Sequence, residues 1–215
     1  MDKLTISARL KAPVILGGGY LTLDALLASL IFEGCGDIDI AHSTIPLANS
    51  SGLFHASAAL LEPLGSNGIS FVANLRATHA LDPDLLLKNK HGRVHRKIGA
   101  KRQQHYGAVL NSYTAFDAPE ITWYAEGDGA AIERLVSDVY FIGKRRGSGF
   151  GEVSSWSIEP DELDGVVGPF GEPLRPVPVE MFEGDKDALK VDAAWRPAYW
   201  HPENRATCYA PGLIQ

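Results

Sequence analysis

Residues 4–10 read LTISARL, with an apolar side chain at every even position and a polar one at every odd position. Successive side chains of a strand point to opposite faces, so this stretch predicts a strand with one face on a core and the other in water. The three consecutive glycines at 17–19 then free the backbone for a tight turn. We therefore expect a sheet to begin here and a turn to follow it.

The residues after this turn predict a helix. Thr22 can cap its first turn, and Asp24 suits the positive end of the helix dipole. Five apolar side chains follow at helical spacing, namely Leu23, Leu26, Leu27, Leu30 and Ile31. This stripe predicts a helix face packed against the sheet, and Gly34 and Gly36 predict the end of the helix.

Later stretches complete the pattern. Alternation predicts strands at 69–75 and 121–125 and a further strand at 150–158, whereas helical spacing predicts a second helix at about 130–138. The order strand, helix, strand, strand, helix, strand is typical of split βαβ, ferredoxin-like or RRM-like domains, with helices on one face of an antiparallel sheet. We therefore expect an α+β domain over residues 1–158.

Two segments exceed this minimal pattern. The connection from about residue 77 to 118 is far longer than an ordinary loop, and such loops are usually functional or disordered. Eight of the thirteen prolines follow residue 155, in a tail that also holds Trp195, Tyr199 and Trp200. Because so much aromatic surface favours packing, we expect residues 159–215 to form a Pro-rich and aromatic-rich extension packed on the domain.

Composition excludes several classes of protein. The 215 residues are 45% hydrophobic and 21% charged, which is ordinary for a globular chain. Two cysteines without a C-x-x-C pair exclude zinc ribbons, iron–sulfur clusters and disulfide scaffolds. The charged first eleven residues argue against a secretory signal, and the longest apolar stretch is far short of a membrane span. We expect a soluble cytoplasmic protein.

The first functional candidate is the basic segment at residues 88–105, KNKHGRVHRKIGAKRQQH. The net charge of the chain is −6, yet these eighteen residues hold seven Lys or Arg and three His. No acidic residue lies between Asp84 and Asp117. Solvated faces usually mix both signs of charge, so this segment favours contact with nucleic acid, whose phosphates release counterions when they are neutralised. A solvated loop without a partner is the alternative.

Within and directly after this segment we assign two kinds of nucleic-acid contact. The residues expected to grip phosphates are Lys88, Lys90, Arg93, Arg96, Lys97, Lys101 and Arg102. The side chains expected to stack on splayed bases are His91, His95 and Tyr106, since single-stranded RNA is often recognised in this way.

The second candidate is the Gly-rich stretch IGKRRGSGFGEV at residues 142–153. Its glycines let a ligand approach the backbone, and its cations supply positive charge there. The order of a Walker A loop is absent, and the 62 residues that follow lack the other protein-kinase motifs. We expect the stretch to lie along a phosphodiester backbone, with a Gly-rich turn of incidental charge as the alternative. The residues assigned to this contact are Gly143, Lys144, Arg145, Arg146, Gly147, Gly149 and Phe150.

The histidines of the basic segment permit two other chemistries. His91 and His95 are four residues apart, but Gly92 between them and the surrounding cations disfavour a metal site. A histidine can act as general acid or base in RNA cleavage, and a lysine can stabilise the developing charge. With no positioned partner we predict no catalytic residue, no metal and no cofactor. The alternatives are a metal-independent endoribonuclease that uses His91, His95 or His105, and a protein-interaction module with a basic loop.

Taken together, these residues resemble the RAMP superfamily of CRISPR-associated proteins. KRRGSGFGEV at 144–153 is similar to the Gly-rich loop after the second helix of the family's ferredoxin-like domain. LKAPVILGGGYLTLDALLASLIF at 10–32 resembles the first strand and helix of small RAMP subunits. The whole chain, including NKHGRVHRKIG at 89–99 and GEPLRPVPV at 171–179, is similar to the family-5 RAMP subunit of type IV CRISPR systems.

This resemblance implies a prokaryotic, cytoplasmic RNA-binding subunit that is not catalytic. It would hold the 5′ handle of the guide RNA and cap a multi-subunit effector complex that acts against foreign DNA such as plasmids. Residues 84–110 would form the family's thumb, an insertion between the second and third strands, and residues 143–151 its Gly-rich loop. The implied neighbours are the backbone and large subunits of the complex, with target DNA near the protospacer-adjacent motif as a further contact and no membrane.

Overall fold

The computed structural model describes residues 1–16, 20–73, 90–92 and 109–212. They divide into two compact units, of which the first combines Met1–Asn67 with Ala115–Gln215 and the second is Gly68–Thr114. No described helix is long and apolar enough to cross a membrane.

Three α-helices and ten strands occur in the described residues, a mixture that agrees with the predicted α+β class. The strands are β1 (Asp2–Leu10), β2 (Asn49–Ser50), β3 (Leu53–Phe54), β4 (Gly65–Ala73), β5 (Val109–Asp117), β6 (Glu120–Gly127), β7 (Val153–Pro160), β8 (Val177–Pro178), β9 (Lys190–Ala194) and β10 (Arg205–Tyr209). The helices are α1 (Leu23–Cys35), α2 (Ile38–Ser43) and α3 (Gly129–Val136).

The main sheet has the strand order β6-β1-β7, and β1 is antiparallel to both neighbours. The apolar face predicted for β1 is confirmed, because Leu4, Ile6 and Ala8 are buried, whereas Ser7 on the opposite face is buried as well. Ile6 lies opposite Trp123 of β6 and Ile158 of β7, so these side chains share one face of the sheet. Apolar residues of α1 and α3 pack on this face and complete the core.

The segment that lies beside the outer edge of β6 is not the one that the sequence pattern predicts. The sequence pattern places residues 69–75 in the main sheet, but β4 pairs with β5 in a separate two-stranded sheet. Backbone hydrogen bonds join β6 instead to the segment 55–61, where Leu60 and Thr122 exchange N–H···O bonds of 2.9 Å. The physical reason is burial, since every residue from Ala56 to Leu61 is buried and no polar–apolar alternation marks the segment as a strand.

The first turn of α1 also differs from the local prediction. Thr22 occupies the N-cap position, but its side chain makes no capping hydrogen bond. Its hydroxyl donates instead to the Tyr199 hydroxyl at 2.9 Å. Gly36 ends the helix in the left-handed conformation, at φ 69°, and its N–H bonds to the Phe32 carbonyl, as the glycine signal predicts.

Asp24 pairs with Arg175 inside the first unit. Both side chains are fully buried, and Arg175 Nη1 lies 3.3 Å from Asp24 Oδ1. Arg175 Nη2 donates to the Tyr199 hydroxyl at 2.8 Å, and that hydroxyl donates to Asp24 Oδ2. The helix dipole alone therefore does not explain why an acidic residue stands in the first turn of α1. The Asp24 carboxylate is neutralised by a cation 151 residues later in the chain.

The same guanidinium fixes three backbone carbonyls. Nη1 donates to the carbonyls of Phe54 and Ala56 at 2.6 and 3.0 Å, and Nη2 donates to that of Trp195 at 2.8 Å. Burial lowers the pKa of Arg175, but the charge of Asp24 and contact with Tyr199 raise it by more, so the pKa lies above its ordinary value. Arg175 is therefore a permanent cation in the folded chain.

The C-terminal part of the first unit has its own small core. Strands β8, β10 and β9 form an antiparallel sheet in that order. Val177, Phe182 and Tyr209 are buried together with Val166 and with Leu53 of β3. One of the tail aromatics, Trp195, therefore takes part in packing, because it borders this cluster. The Arg196 guanidinium lies 4.8 Å from the centre of its ring.

We expect Asp24→Asn to lower the free energy of unfolding by about 3–5 kcal/mol, because it leaves the Arg175 charge buried without its counterion. Urea unfolding of purified protein measures this change. The matched control is Asp192→Asn, which breaks the exposed Arg205–Asp192 pair, whose side chains are 44% and 70% exposed. That control should cost less than about 1 kcal/mol. Equal losses in the two variants would contradict the role assigned to the buried pair.

Candidate nucleic-acid interface

The Gly-rich loop spans residues 143–151 and joins α3 to β7. Its ends are closed by backbone pairing, in which Ile142 N–H donates to the Gly151 carbonyl at 2.9 Å. Val153 N–H donates to the Tyr140 carbonyl at 2.9 Å, and Phe141 forms a bridge with Glu152. The loop is therefore a closed hairpin-like projection whose two ends are held together.

Two glycines of this loop are required by packing. The loop is fixed to the chain that follows β1, since Lys144 N–H donates to the Ile15 carbonyl at 2.7 Å and Gly151 N–H to the Pro13 carbonyl at 2.9 Å. A Cβ on Gly143 would lie 2.6 Å from the Ile15 carbonyl oxygen, and one on Gly151 would lie 2.0 Å from that of Ile142. Both glycines also have positive φ, of 81° and 70°.

The other two glycines of the loop face open space. Arg146–Ser148 form one turn of 3-10 helix, and Gly149 follows it with φ 85°. A Cβ on Gly147 or on Gly149 would meet no atom within 4 Å. The backbone at these two positions is therefore accessible to a ligand. The sequence predicts such access for all glycines of the loop.

Positive charge is concentrated beside this accessible backbone. Lys144 and Arg146 are exposed, and in the described part of the chain neither forms an ion pair. Arg145 between them is half-buried and adopts the left-handed conformation at φ 62°. The backbone N–H groups of Arg146 and Gly147 donate to no described residue. Two exposed cations and two such amides together can bind an anion such as a phosphate.

Sequence reasoning missed one cation near the loop. Lys11 lies just after β1; its N–H donates to the Glu152 carbonyl at 2.8 Å, and its Nζ lies 3.9 Å from Glu152 Oε1. The ion pair is exposed, so it is weak and can be exchanged for a phosphate. The only sequence signal for Lys11 is its place in Lys-Ala-Pro at the end of the first strand. That signal does not show that Glu152 is close. Phe150, which the sequence assigns to the site, is half-buried at the base of the loop.

Most of the basic segment lies outside the described residues. Of its assigned contacts, Lys90 and His91 are described, and both are exposed beside Gly92, which has φ 72°. These three residues belong to the second unit. The assigned residues that lie outside the described part are Lys88, Arg93, His95, Arg96, Lys97, Lys101, Arg102 and Tyr106. Their RNA contacts remain predictions, as does the thumb at 84–110.

The second unit also contains an aromatic pair that the sequence reasoning does not assign to the site. Phe71 of β4 and Tyr113 of β5 pack edge to face, with ring centres 6.1 Å apart. One residue before each of them, the hydroxyls of Ser70 and Ser112 are hydrogen-bonded at 3.0 Å. β5 lies within the long connection at about 77–118, whereas β4 precedes it, so the described residues of that connection are 90–92 and 109–118.

Metal-based chemistry finds no support in the described side chains. No group of three or more His, Cys, Asp or Glu that could hold a metal ion occurs among the residues that the structure describes. The Gly-rich loop contains no histidine, and its stretch of 143–151 contains no carboxylate. The groups that the loop presents are cations and backbone amides, which can bind anions.

Comparison with known proteins identifies the family. The family model described as CRISPR type IV associated protein Csf3 matches residues 78–211, which is more than half of the chain. The chain belongs to the Csf3 family. A search of curated proteins finds no match.

Membership in the Csf3 family confirms the resemblance found in the sequence. Csf3 proteins are RAMP subunits of the family-5 kind, and their family belongs to the type IV CRISPR machinery. Such membership implies a multi-subunit effector complex. The matched residues include both the basic segment at 88–105 and the Gly-rich loop at 143–151, whereas β1 and α1 precede the match.

The two kinds of glycine in the loop predict opposite effects of substitution. Gly151→Ala should lower the free energy of unfolding by at least about 2 kcal/mol, because it adds left-handed strain and a clash with the Ile142 carbonyl. Gly147→Ala should change it by less than about 0.5 kcal/mol, since the new methyl group meets no atom. Urea or thermal unfolding of both variants tests this difference. A destabilised Gly147→Ala would show that the outer part of the loop is packed.

Proposed function

We propose that this protein is a non-catalytic RNA-binding subunit that holds the 5′ handle of the guide RNA and caps a type IV effector complex. The observation that carries the proposal is the Gly-rich loop, which presents exposed Lys144 and Arg146 beside an open glycine backbone. A flexible turn of incidental charge would not need its two ends fixed by the packed Gly143 and Gly151.

The spacing of donors in the loop suits a sugar–phosphate backbone better than a single small anion. Lys144 and Arg146 flank Arg145, so their long side chains can reach neighbouring phosphates while Gly147 and Gly149 let the strand approach. Phosphate contacts of this kind position RNA without reading its sequence. We propose that bases splayed from this backbone stack on His91, His95 and Tyr106, and that specificity for a handle comes from hydrogen bonds to the edges of those bases.

We further propose that residues 1–158 form a ferredoxin-like RAMP domain whose main sheet lies in the first unit. Its support is the antiparallel order β6-β1-β7, with the segment 55–61 in the place of the fourth strand beside β6. In this proposal residues 1–158 form the domain, residues 84–110 its thumb, and residues 159–215 the extension that Arg175 ties to α1 and to the carbonyls of Phe54 and Ala56. The cytoplasm of a prokaryotic cell is the proposed location.

The proposal assigns no RNA cleavage to this subunit. Its support is membership in the Csf3 family, a family-5 kind of subunit within type IV complexes, where such subunits bind rather than cut. The described loop offers cations and amides, and neither a histidine nor a carboxylate to move a proton. We propose the guide RNA and the backbone and large subunits as partners, with target DNA as a further contact.

Replacing the loop cations should weaken RNA binding and its salt dependence together. On single-stranded RNA, each phosphate that the protein no longer neutralises should lower the slope of log K against log salt by about 0.7, so Lys144→Gln with Arg146→Gln should lower it by about 1.4. Filter binding of guide RNA over a salt series measures this. Lys186→Gln is the control for Lys144→Gln, because it removes one exposed, unpaired lysine elsewhere in the described chain. Equal slopes in all variants would show that the loop cations are not part of the RNA site.

Matched native and denaturing gels separate binding from cleavage. We expect labelled repeat–spacer RNA to show a salt-sensitive shift and to stay intact, and RNA with an unrelated sequence in place of the handle to bind more weakly. A discrete new 5′ end that disappears in His91→Ala or His95→Ala would establish an endoribonuclease and contradict the proposal. Equal binding of both RNAs would contradict recognition of the handle while leaving RNA binding itself intact.

A further inference from the structure

An apolar groove lies between α1, α2 and residues 197–200. Its volume is about 460 Å³, and it is bordered by Phe32, Ile38 and Trp200. These side chains are 45%, 40% and 73% exposed, although each is large and apolar. Scattered exposed apolar residues are ordinary, but several around one concave surface are typical of a binding site.

The floor of this groove is made of small side chains. Ala28 and Ala41 are buried there, and Ala25 and Ser29 complete the same stretch of α1. Small residues leave room for the side chain of a partner, whereas an exposed tryptophan at the border provides a large contact area. Tryptophan is also the residue type most enriched among those that dominate binding energy. The shape therefore fits a protein segment with protruding apolar side chains.

The charge near the groove is mostly negative. Glu33, Asp37 and Asp39 are exposed at the junction of α1 and α2, and the chain has no Lys or Arg from residue 12 to residue 75. The Arg196 guanidinium, next in sequence to the groove, stacks on Trp195 and donates to Asn204. The one titratable side chain in the lining besides Tyr199 is His42, and His201 packs against the edge of the Trp200 ring.

We infer that this groove docks a basic amphipathic segment of a neighbouring protein subunit. The apolar side chains of that segment would fill the groove, and its Lys or Arg would face the carboxylates at the α1–α2 junction. RNA does not fit, because its phosphates would meet carboxylates, and the Arg196 guanidinium beside the groove is already engaged by Trp195 and Asn204. A second copy of this chain placed symmetrically would bring the same acidic junctions together. This inference is independent of the RNA contacts proposed above.

The test is a photo-cross-link from the groove within the assembled complex. Trp200 is replaced by benzoylphenylalanine, the variant is co-expressed with the guide RNA and the other subunits of its type IV complex, and the cross-linked peptide is identified by mass spectrometry. We expect a segment of another subunit with an excess of Lys and Arg over Asp and Glu. The control is the same replacement at Phe170, which is 91% exposed outside the groove, and it should not capture that segment.

Four cross-linking outcomes would overturn the inference, and the first three concern what is captured at all. They are a cross-link to RNA, a cross-link to a second copy of this chain, and no cross-link in a complex that has assembled. Capture of an acidic segment would overturn it as well, because the carboxylates would then oppose binding.

Affinity measurements on a synthetic peptide of the captured segment test the physical argument. Trp200→Ala should weaken peptide binding by about 30-fold, as expected for a dominant contact residue. Asp39→Lys should weaken peptide binding, and by a larger factor at low salt than at high salt. Asp187→Lys, an equal change of charge outside the groove, should not weaken peptide binding. RNA affinity should stay unchanged in all three variants. A peptide that binds Asp39→Lys as tightly as the unsubstituted protein would contradict the assigned role of charge.

Discussion

The buried contact between Arg175 and Asp24 organises the first unit. Removing two charges from water is costly, and here the cost is offset by the close pairing, by the Tyr199 hydroxyl and by three backbone carbonyls that accept from the same guanidinium. Burial and the nearby Asp24 carboxylate raise the pKa of Tyr199, although Arg175 opposes them, so its hydroxyl remains a donor to Asp24. A single guanidinium thus joins the first turn of α1, the chain at Phe54–Ala56 and the C-terminal part near Trp195.

This contact has consequences for the main sheet and for the loop. The carbonyl of Ala56 belongs to the segment 55–61 that borders β6, and that of Phe54 belongs to β3 directly before it, so Arg175 helps to hold the segment at the edge of the sheet. β6 in turn pairs with β1 along its whole length, and the chain that continues from β1 supplies the carbonyls that fix the Gly-rich loop. The position of the loop cations therefore depends on a series of backbone hydrogen bonds that begins in the buried core.

Periodicity in the sequence predicts the elements that have one buried and one exposed face. It locates β1, α1, β6, α3 and β7 to within a few residues, because burial of one face leaves a pattern in such elements. It places the wrong strand beside β6, since residues 56–61 are buried throughout and carry no alternation. Cap and dipole rules likewise give Thr22 and Asp24 local roles, whereas their partners are distant in the chain. The composition of the loop predicts an anion site, but not that Gly143 and Gly151 are packed while Gly147 and Gly149 are open.

The separation of charge along the chain gives a physical reason for two different surfaces. Residues 85–116 hold seven cations and no acid, the Gly-rich loop adds three consecutive cations, and residues 12–75 hold none. A polyanion is attracted to the first two regions and repelled by the third, so the apolar groove beside the carboxylates of the α1–α2 junction would stay available when RNA binds the proposed site. A basic partner segment would experience the opposite preference. The attraction of RNA to the basic regions and that of the partner segment to the carboxylates both weaken with salt. RNA and protein would therefore avoid competition for the same residues because the two sites lie in different places, and not because the attractions differ in strength.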